Sequence, residues 1–254
     1  MPQSSISTVL KVGKQHPGFL KFTSIPMMDL SMGDEKILSY SDVVLRRSDL
    51  EILGGPHFLN DRIIEFYFSC LASCYPSEDI LLVPPGISFW LTNCMDLDSL
   101  KDFVEPLKLP DKKLVIFSIN NNKDVTQAEG GTHWSLLAYE RNKNLFVHHD
   151  SLAGSNRLPA MNLYRNVARF MRISGSTLDA PLSDCTSTPQ QMNGYDCGVY
   201  VIAIAKVICD WYTNCRSQDE DLWFSAMKRQ IGASTVSKLR NEILVLIKDL
   251  MVKK

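Results

Sequence analysis

Cys197, His133 and Asp150 are the residues of this chain whose types and placement could together carry covalent chemistry. A cysteine nucleophile needs a base to create or hold its thiolate, and that base needs a third group to fix its tautomer. The thiol is presented by the stretch Gln190-Gln191-Met192-Asn193-Gly194-Tyr195-Asp196-Cys197-Gly198. Asn193-Gly194 is a turn dipeptide, Asp196 is a good N-cap residue, and Gly198 to Tyr212 is an apolar run long enough for a buried helix. Cys197 is therefore expected in the first helical turn, where unpaired backbone N–H groups and the positive end of the helix dipole favour a thiolate. Gly198 lets another part of the chain come close to the sulfur. Acyl transfer also requires donors aimed at the developing oxyanion. The backbone N–H of Cys197 is one; a side-chain amide from Gln190 or Gln191 is the other, and spacing alone does not choose between them.

The base follows from the short roster of histidines: His16, His57, His133, His148 and His149. His16 lies near the start of the chain, and His57 follows a Gly-Gly-Pro breaker. His148 and His149 sit too close to Asp150 along one strand to be oriented by it in line. His133 remains. The segments Thr132–Tyr139 and Leu145–Asp150 read as two strands flanking the turn Arg141-Asn142-Lys143-Asn144. If Glu140 faces Leu145, Ser135 falls opposite Asp150 and His133 lies one diagonal step away, about 5 to 8 Å apart at the backbone level. A histidine and a carboxylate are thus delivered to one end of a sheet.

The remaining elements must hold this end together. Asn60 or Asp61 can cap a core helix running to about Cys74, with Ile63, Tyr67 and Leu71 on one face. Leu81-Leu82-Val83 reads as a short buried strand, Ile87 to Asn93 as a helix, and Leu114 to Ile119 as a second strand ending in an asparagine-rich loop. Asn156 to Ile173 can form a helix with Pro159 near its first turn, and 174–189 is loop with one short strand. Val236, Leu239, Ile243, Leu246 and Leu250 mark an amphipathic C-terminal helix. Ile37 to Leu50 alternates weakly, and Asp42, Arg46, Arg47 and Asp49 suggest a solvated surface segment.

At 254 residues and 45% hydrophobic, the chain can bury one substantial core. Residues 1–31 read as a disordered leader and 32–254 as a single domain. The net charge of -1 offers no global field for nucleic acid or an anionic membrane. Seven cysteines at irregular spacings make no disulfide framework and no zinc pair, so a reducing compartment, cytoplasm or nucleus, fits. Cys70 and Cys74 are expected in the core. No apolar run approaches the ~20 residues of a spanning helix.

The set His133-Trp134, Asp150, and Gln191 through Cys197-Gly198, in that order, resembles the Ulp-type or sentrin-specific cysteine proteases, including the 17 residues from His133 to Asp150 and the six from Gln191 to Cys197. The resemblance implies a papain-like α+β fold: a central mixed sheet flanked by helices, with the nucleophile at the N-terminus of a buried helix. It also implies that Gln191, rather than Gln190, is the oxyanion residue. The family's Trp-Leu-Asn-Asp element, which opens a core helix beside the channel for the modifier's diglycine tail, stands here as Phe58-Leu59-Asn60-Asp61, with Phe in place of Trp. Phe58 and Trp134 are then the channel walls, and Asp61 hydrogen-bonds the tail backbone. The block Gly130 to Leu137 is most similar to the branch acting on the Nedd or Rub modifier. The implied activity is cleavage after the Gly-Gly terminus of that modifier, in its precursor and its conjugates, cullins among them, by a monomer with no metal or cofactor. A SUMO-specific protease is the alternative, followed by an acyltransferase or a non-catalytic modifier-binding module on the same fold.

Overall fold

The computed structural model describes residues 34–94, 96–127, 130–171, 180–214 and 222–253. Asp34–Lys254 forms one compact unit; the 1–31 leader lies outside the described residues, as does Ile173. The organising layer is a mixed five-stranded sheet in the order β3 (Ile80–Val83), β4 (Leu114–Asn120), β5 (Trp134–Glu140), β6 (Leu145–His149), β7 (Leu182–Asp184). The β4–β5 and β5–β6 pairs are antiparallel, and the two edge pairs are parallel. Every residue of β4 and β5 is buried. These strands therefore read as continuous apolar runs, because helices cover both of their faces.

The period of two sorts their side chains between two cores. Leu114, Ile116, Trp134, Leu136, Ala138 and Val147 pack on one side against helices α2 (Asp61–Cys74), α6 (Cys197–Asn214) and α8 (Ala233–Val252). Val115, Phe117, Ile119, Leu137, Tyr139 and Phe146 pack on the other against α3 (Pro85–Asn93), α4 (Leu97–Val104) and α5 (Arg157–Val167). A short helix, α7 (Phe224–Gln230), follows α6. The hairpin has Glu140 paired with Leu145 and Leu136 with His149, which is the expected register. Helix α5 is shorter than expected, because from Ala168 to Met171 the chain tightens into a 3₁₀ turn. In α8 the fully buried residue of the fourth turn is Ile247, with Leu246 only partly buried. A stripe drifts this way on a straight helix of 3.6 residues per turn.

Two expectations are corrected. Cys74 is exposed and Cys70 half-buried. The segment 37–50 is no solvated surface strip: it forms a two-stranded hairpin, β1 (Lys36–Tyr40) and β2 (Val43–Arg46), leading into helix α1 (Arg47–Gly54), with Leu38, Val43 and Leu45 in the core. Its Asp49 is fully buried. That carboxylate accepts the Arg46 backbone N–H at 2.8 Å, the Asn60 side-chain amide at 2.7 Å and the Arg62 guanidinium at 2.9 Å. Asp49 so ties the start of α1 to the N-cap of α2, where Asn60 Oδ1 accepts the Ile63 N–H. Charge alone did not reveal this, because a buried carboxylate and a solvated one look alike in a sequence. Asp49→Ala strands those donors and is expected to cost about 2–3 kcal/mol, with Arg62 able to turn partly to water; an unchanged urea midpoint would contradict it.

Candidate active site

Helix α6 is buried almost all round, and its N-terminus points Cys197 into the space beside β5. Asp196 occupies the N-cap position and its carbonyl accepts the Tyr200 N–H at 3.0 Å. Its carboxylate, expected to cap, is engaged elsewhere: Arg240 Nε donates to Oδ1 at 2.8 Å and Asn193 Nδ2 to Oδ2 at 2.7 Å. Arg240, on α8, also donates to the carbonyls of Ile52 and His57, at 2.9 Å each. One buried guanidinium thus pins the last helix, the α1–α2 connection and the nucleophile turn. Asn193 shapes that turn itself, its Oδ1 accepting the N–H groups of Tyr195 and Asp196. Gly194 has no positive φ, so Asn193 carries the turn by an Asx geometry.

Gly198 serves close approach. A Cβ there would lie 2.8 Å from Leu59 Cβ, and the Leu59 carbonyl accepts Trp134 Nε1–H at 2.8 Å. The Phe58–Asp61 element is so seated against α6 and β5 together. Gly198→Ala is expected to push Leu59 away, with an overpacking cost of about 1–3 kcal/mol and a lower kcat/KM. A melting temperature and activity both equal to wild type would show that Leu59 yields freely.

His133 precedes β5, and Asp150 follows β6. The register expected to bring them together does so: His133 Nε2 lies 2.6 Å from Asp150 Oδ1, with both side chains buried. Asp150 Oδ1 also accepts the Leu152 N–H and Oδ2 the Asn156 N–H, at 2.9 Å each. With Nε2 committed to Asp150, Nδ1 is the ring nitrogen left for the Cys197 sulfur. Burial pulls the His133 imidazole down, but hydrogen bonds to Asp150 and Cys197, and their charges, outweigh it and lift His133 to about 9. Burial raises the Asp150 carboxyl, while the bonds from His133, Asn156 and Leu152 outweigh that and hold it below its ordinary value. The two other hairpin histidines are engaged elsewhere. His148 spans Asp184 and Ser135, and His149, between Thr188 and the Trp223 N–H, is driven down to about 3 by burial and by His148.

The two glutamines separate by their hydrogen bonds. Gln190 Nε2 spends both of its hydrogens, on the carbonyls of Asp150 and Thr188, and its Oε1 accepts the Ala153 N–H. Gln191 Nε2 gives one hydrogen to the Asn193 carbonyl at 2.8 Å, and the Ser151 hydroxyl donates to its Oε1 at 2.8 Å. Gln191 keeps a donor in reserve. Gln190 braces the Asp150 backbone, and Ser151 orients the Gln191 amide; neither role is legible in the spacing.

A groove of about 280 Å³ is lined by Phe58, Asp61, Gly131 and Trp134 among others. Phe58 is 42% exposed and Trp134 is 5%, so one wall is free and the other is fixed. Gly131, at φ +80°, closes the floor, and a Cβ there would run into Asn120. Asn121 Oδ1 accepts the N–H groups of Thr132 and His133, so the asparagine-rich loop anchors the histidine. Among the described residues, no group of three or more His, Cys, Asp or Glu side chains is arranged to hold a metal ion, and no helix is long and apolar enough to cross a membrane.

This assembly can carry out acyl transfer through a thioester: a thiol at a helix N-terminus, an imidazole held in line by a carboxylate, the backbone N–H of Cys197 at the thiol, and a Gln191 amide with a donor in reserve. Comparison with known proteins agrees in kind. Residues 58–210 match the model of the Ulp1 protease family, C-terminal catalytic domain. NEDD8-specific protease 1 of Arabidopsis thaliana is 53% identical over 219 residues, covering 86% of this chain and 95% of that protein. Sentrin-specific protease 8 of Rattus norvegicus is 38% identical over 179 residues, covering 69% and 80%. The X-ray structure of the C-terminal Ulp1 protease domain in complex with Smt3, the yeast ortholog of SUMO, superposes with a TM-score of 0.60 at 19% identity, covering 87% of this chain and 90% of that one, and shares the fold.

Proposed function

The chain belongs to the Ulp1 protease family, and from that premise we propose that it is a cysteine isopeptidase that cuts after the Gly-Gly terminus of a Nedd/Rub-type ubiquitin-like modifier, in the precursor and in conjugates. The observation that carries the chemistry is the 2.6 Å contact between His133 and Asp150, with the other ring nitrogen turned to Cys197 at the start of α6. The modifier is supported by the 53% identity to a NEDD8-specific protease.

The Cys197 sulfur attacks the carbonyl carbon of the terminal glycine, and the carbonyl π pair moves onto oxygen. The Cys197 N–H and the spare hydrogen of Gln191 receive that oxyanion. On collapse, the C–N bond breaks and the His133 imidazolium gives its Nδ1 proton to the departing amine. Neutral His133 then takes a proton from water as the hydroxide displaces sulfur from the thioester, restoring the thiolate–imidazolium pair and releasing a modifier whose new terminal carboxylic acid gives its proton to solvent. Asp150 keeps the ring oriented and the imidazolium charged. The walls Phe58 and Trp134 leave room for a tail without side chains, and Asp61 hydrogen-bonds its backbone. Because Cys197 has no exposed surface, the tail opens the groove as it enters. No step uses a metal or cofactor. The same reading has the enzyme act as a monomer in the cytoplasm or nucleus, on protein rather than nucleic acid.

The test is release of a fluorophore from the C-terminus of Nedd/Rub, SUMO and ubiquitin. Release from Nedd/Rub alone supports the proposal, whereas preference for SUMO keeps the mechanism and overturns the modifier. No Cys197-dependent release from any of the three overturns the isopeptidase.

A further inference from the structure

We infer that Asn156, fully buried at the entrance to α5, is a positioning residue that locks the base and the acid of the catalytic pair into one frame. The inference rests on the isopeptidase reading above. Asn156 reaches both partners at once. Its backbone N–H donates to Asp150 Oδ2 at 2.9 Å, and its Nδ2 donates to the His133 carbonyl at 3.3 Å and to the Ile119 carbonyl at 3.1 Å. The end of β4 and the residue before β5 thus meet on the Asn156 side chain, and the loop after β6 on its backbone N–H.

The same side chain carries an unusual feature. Among the described residues its Oδ1 is buried with no hydrogen-bond partner, a state that costs free energy and that native proteins seldom keep without reason. The orientation of the amide is not in question, because two carbonyl acceptors fix the nitrogen end. A smaller residue would remove the stranded oxygen, so the two donors must be worth more than its cost. What they secure is the depth of His133. The Asn121 N–H donates to the same His133 carbonyl at 3.2 Å, but Asn121 belongs to the asparagine-rich loop, next to Asn120, which lines the groove. Asn156 is anchored away from the groove, at the head of a helix.

The titratable groups that face His133 are Asp150, from the loop after β6, and Cys197, from α6. If the frame loosens, the His133–Asp150 bond lengthens, and His133 falls from about 9 toward its ordinary value. The imidazolium needed by the leaving amine is then lost at lower pH.

The experiment uses the full chain with a C-terminal fluorogenic Nedd/Rub conjugate. Asn156→Ala is expected to lower kcat by about 10- to 100-fold, the scale of a displaced catalytic group, to leave KM within about twofold, and to move the alkaline limb of the pH profile downward. Asn156→Ser, which keeps one hydroxyl donor, falls between the variant and wild type and guards against a variant that does not fold. An NMR titration of the His133 imidazole in the same proteins, without substrate, must show the same drop. Wild-type kcat and an unmoved titration in a folded variant overturn the inference, as does a loss of rate that tracks only the unfolded fraction. Failure of wild type to release any fluorophore, with the titration shifted as expected, overturns the substrate assignment and supports the positioning role.

Discussion

Cys197→Ser is expected to abolish release from Nedd/Rub, by at least about 10⁴-fold, while leaving modifier binding and the melting temperature near wild type. The hydroxyl fits where the thiol sat, buried at the first turn of α6, so packing barely changes. Reactivity changes greatly. A serine at that point presents a neutral hydroxyl whose proton the imidazole must remove during attack, in a site arranged around a thiolate–imidazolium pair, and nucleophile replacements in such triads cost rates of this size. The pairing of the two readouts separates the classes that share this fold. A hydrolase loses turnover and keeps a saturable binding isotherm. An acyltransferase passes the modifier to an added amine in preference to water, which mass spectrometry of the wild-type product detects. A binding module gives equal isotherms for both proteins and no product from either. Equal turnover by Cys197→Ser and wild type would remove Cys197 from the chemistry altogether.

What could be read ahead of the structure was what depends on short-range periodicity and on register. The hairpin could be numbered from its turn, and once Glu140 is set against Leu145 the meeting of His133 with Asp150 follows from the geometry of antiparallel pairing. Cys197 could be placed because a turn dipeptide, a cap residue and an apolar run coincide. The buried polar brackets were not legible. Asp49 lies among charges that look solvated, and only the fold shows that it accepts from Arg46, Asn60 and Arg62. Arg240 sits beside the apolar stripe of the last helix with no local signal, yet it reaches Asp196 across 44 positions of sequence. Ser151 had one available signal, its adjacency to Asp150, and Asn156 had none. Such residues act by meeting carbonyls and carboxylates from distant segments, and no local pattern encodes that meeting.

The second large effect is expected from Asp150→Asn, a substitution of nearly equal shape. Asp150 receives donors at every point: His133 and the Leu152 N–H on Oδ1, and the Asn156 N–H on Oδ2. An amide supplies one oxygen and one NH₂ group. With the oxygen in the Oδ1 position, the NH₂ group opposes the Asn156 N–H, donor against donor. With the amide turned over, it opposes the Leu152 N–H and donates to His133 Nε2, forcing the ring proton onto Nδ1, where it faces the sulfur that must be served. The first orientation keeps Nδ1 as the base only at the cost of a buried donor–donor clash, and the second leaves no base. Accordingly kcat/KM is expected to fall, by up to about 10⁴-fold at neutral to mildly alkaline pH where the second prevails, as for other triads given the wrong tautomer. The charge is lost as well. Burial is the largest influence on His133 and acts downward; without the carboxylate it gains ground, so the imidazole drops from about 9 and the alkaline limb of activity moves to lower pH. Stability carries the matching sign. A histidine raised in the fold stabilises fully below its unfolded value of ~6.5, and that contribution is lost as pH rises through about 9. The difference in melting temperature between wild type and Asp150→Asn should therefore be largest at mildly acidic pH, below ~6.5, and shrink from neutral to alkaline pH. A difference that grew with pH, or an activity profile that merely scaled down without shifting, would mean that Asp150 does not hold the proton on His133.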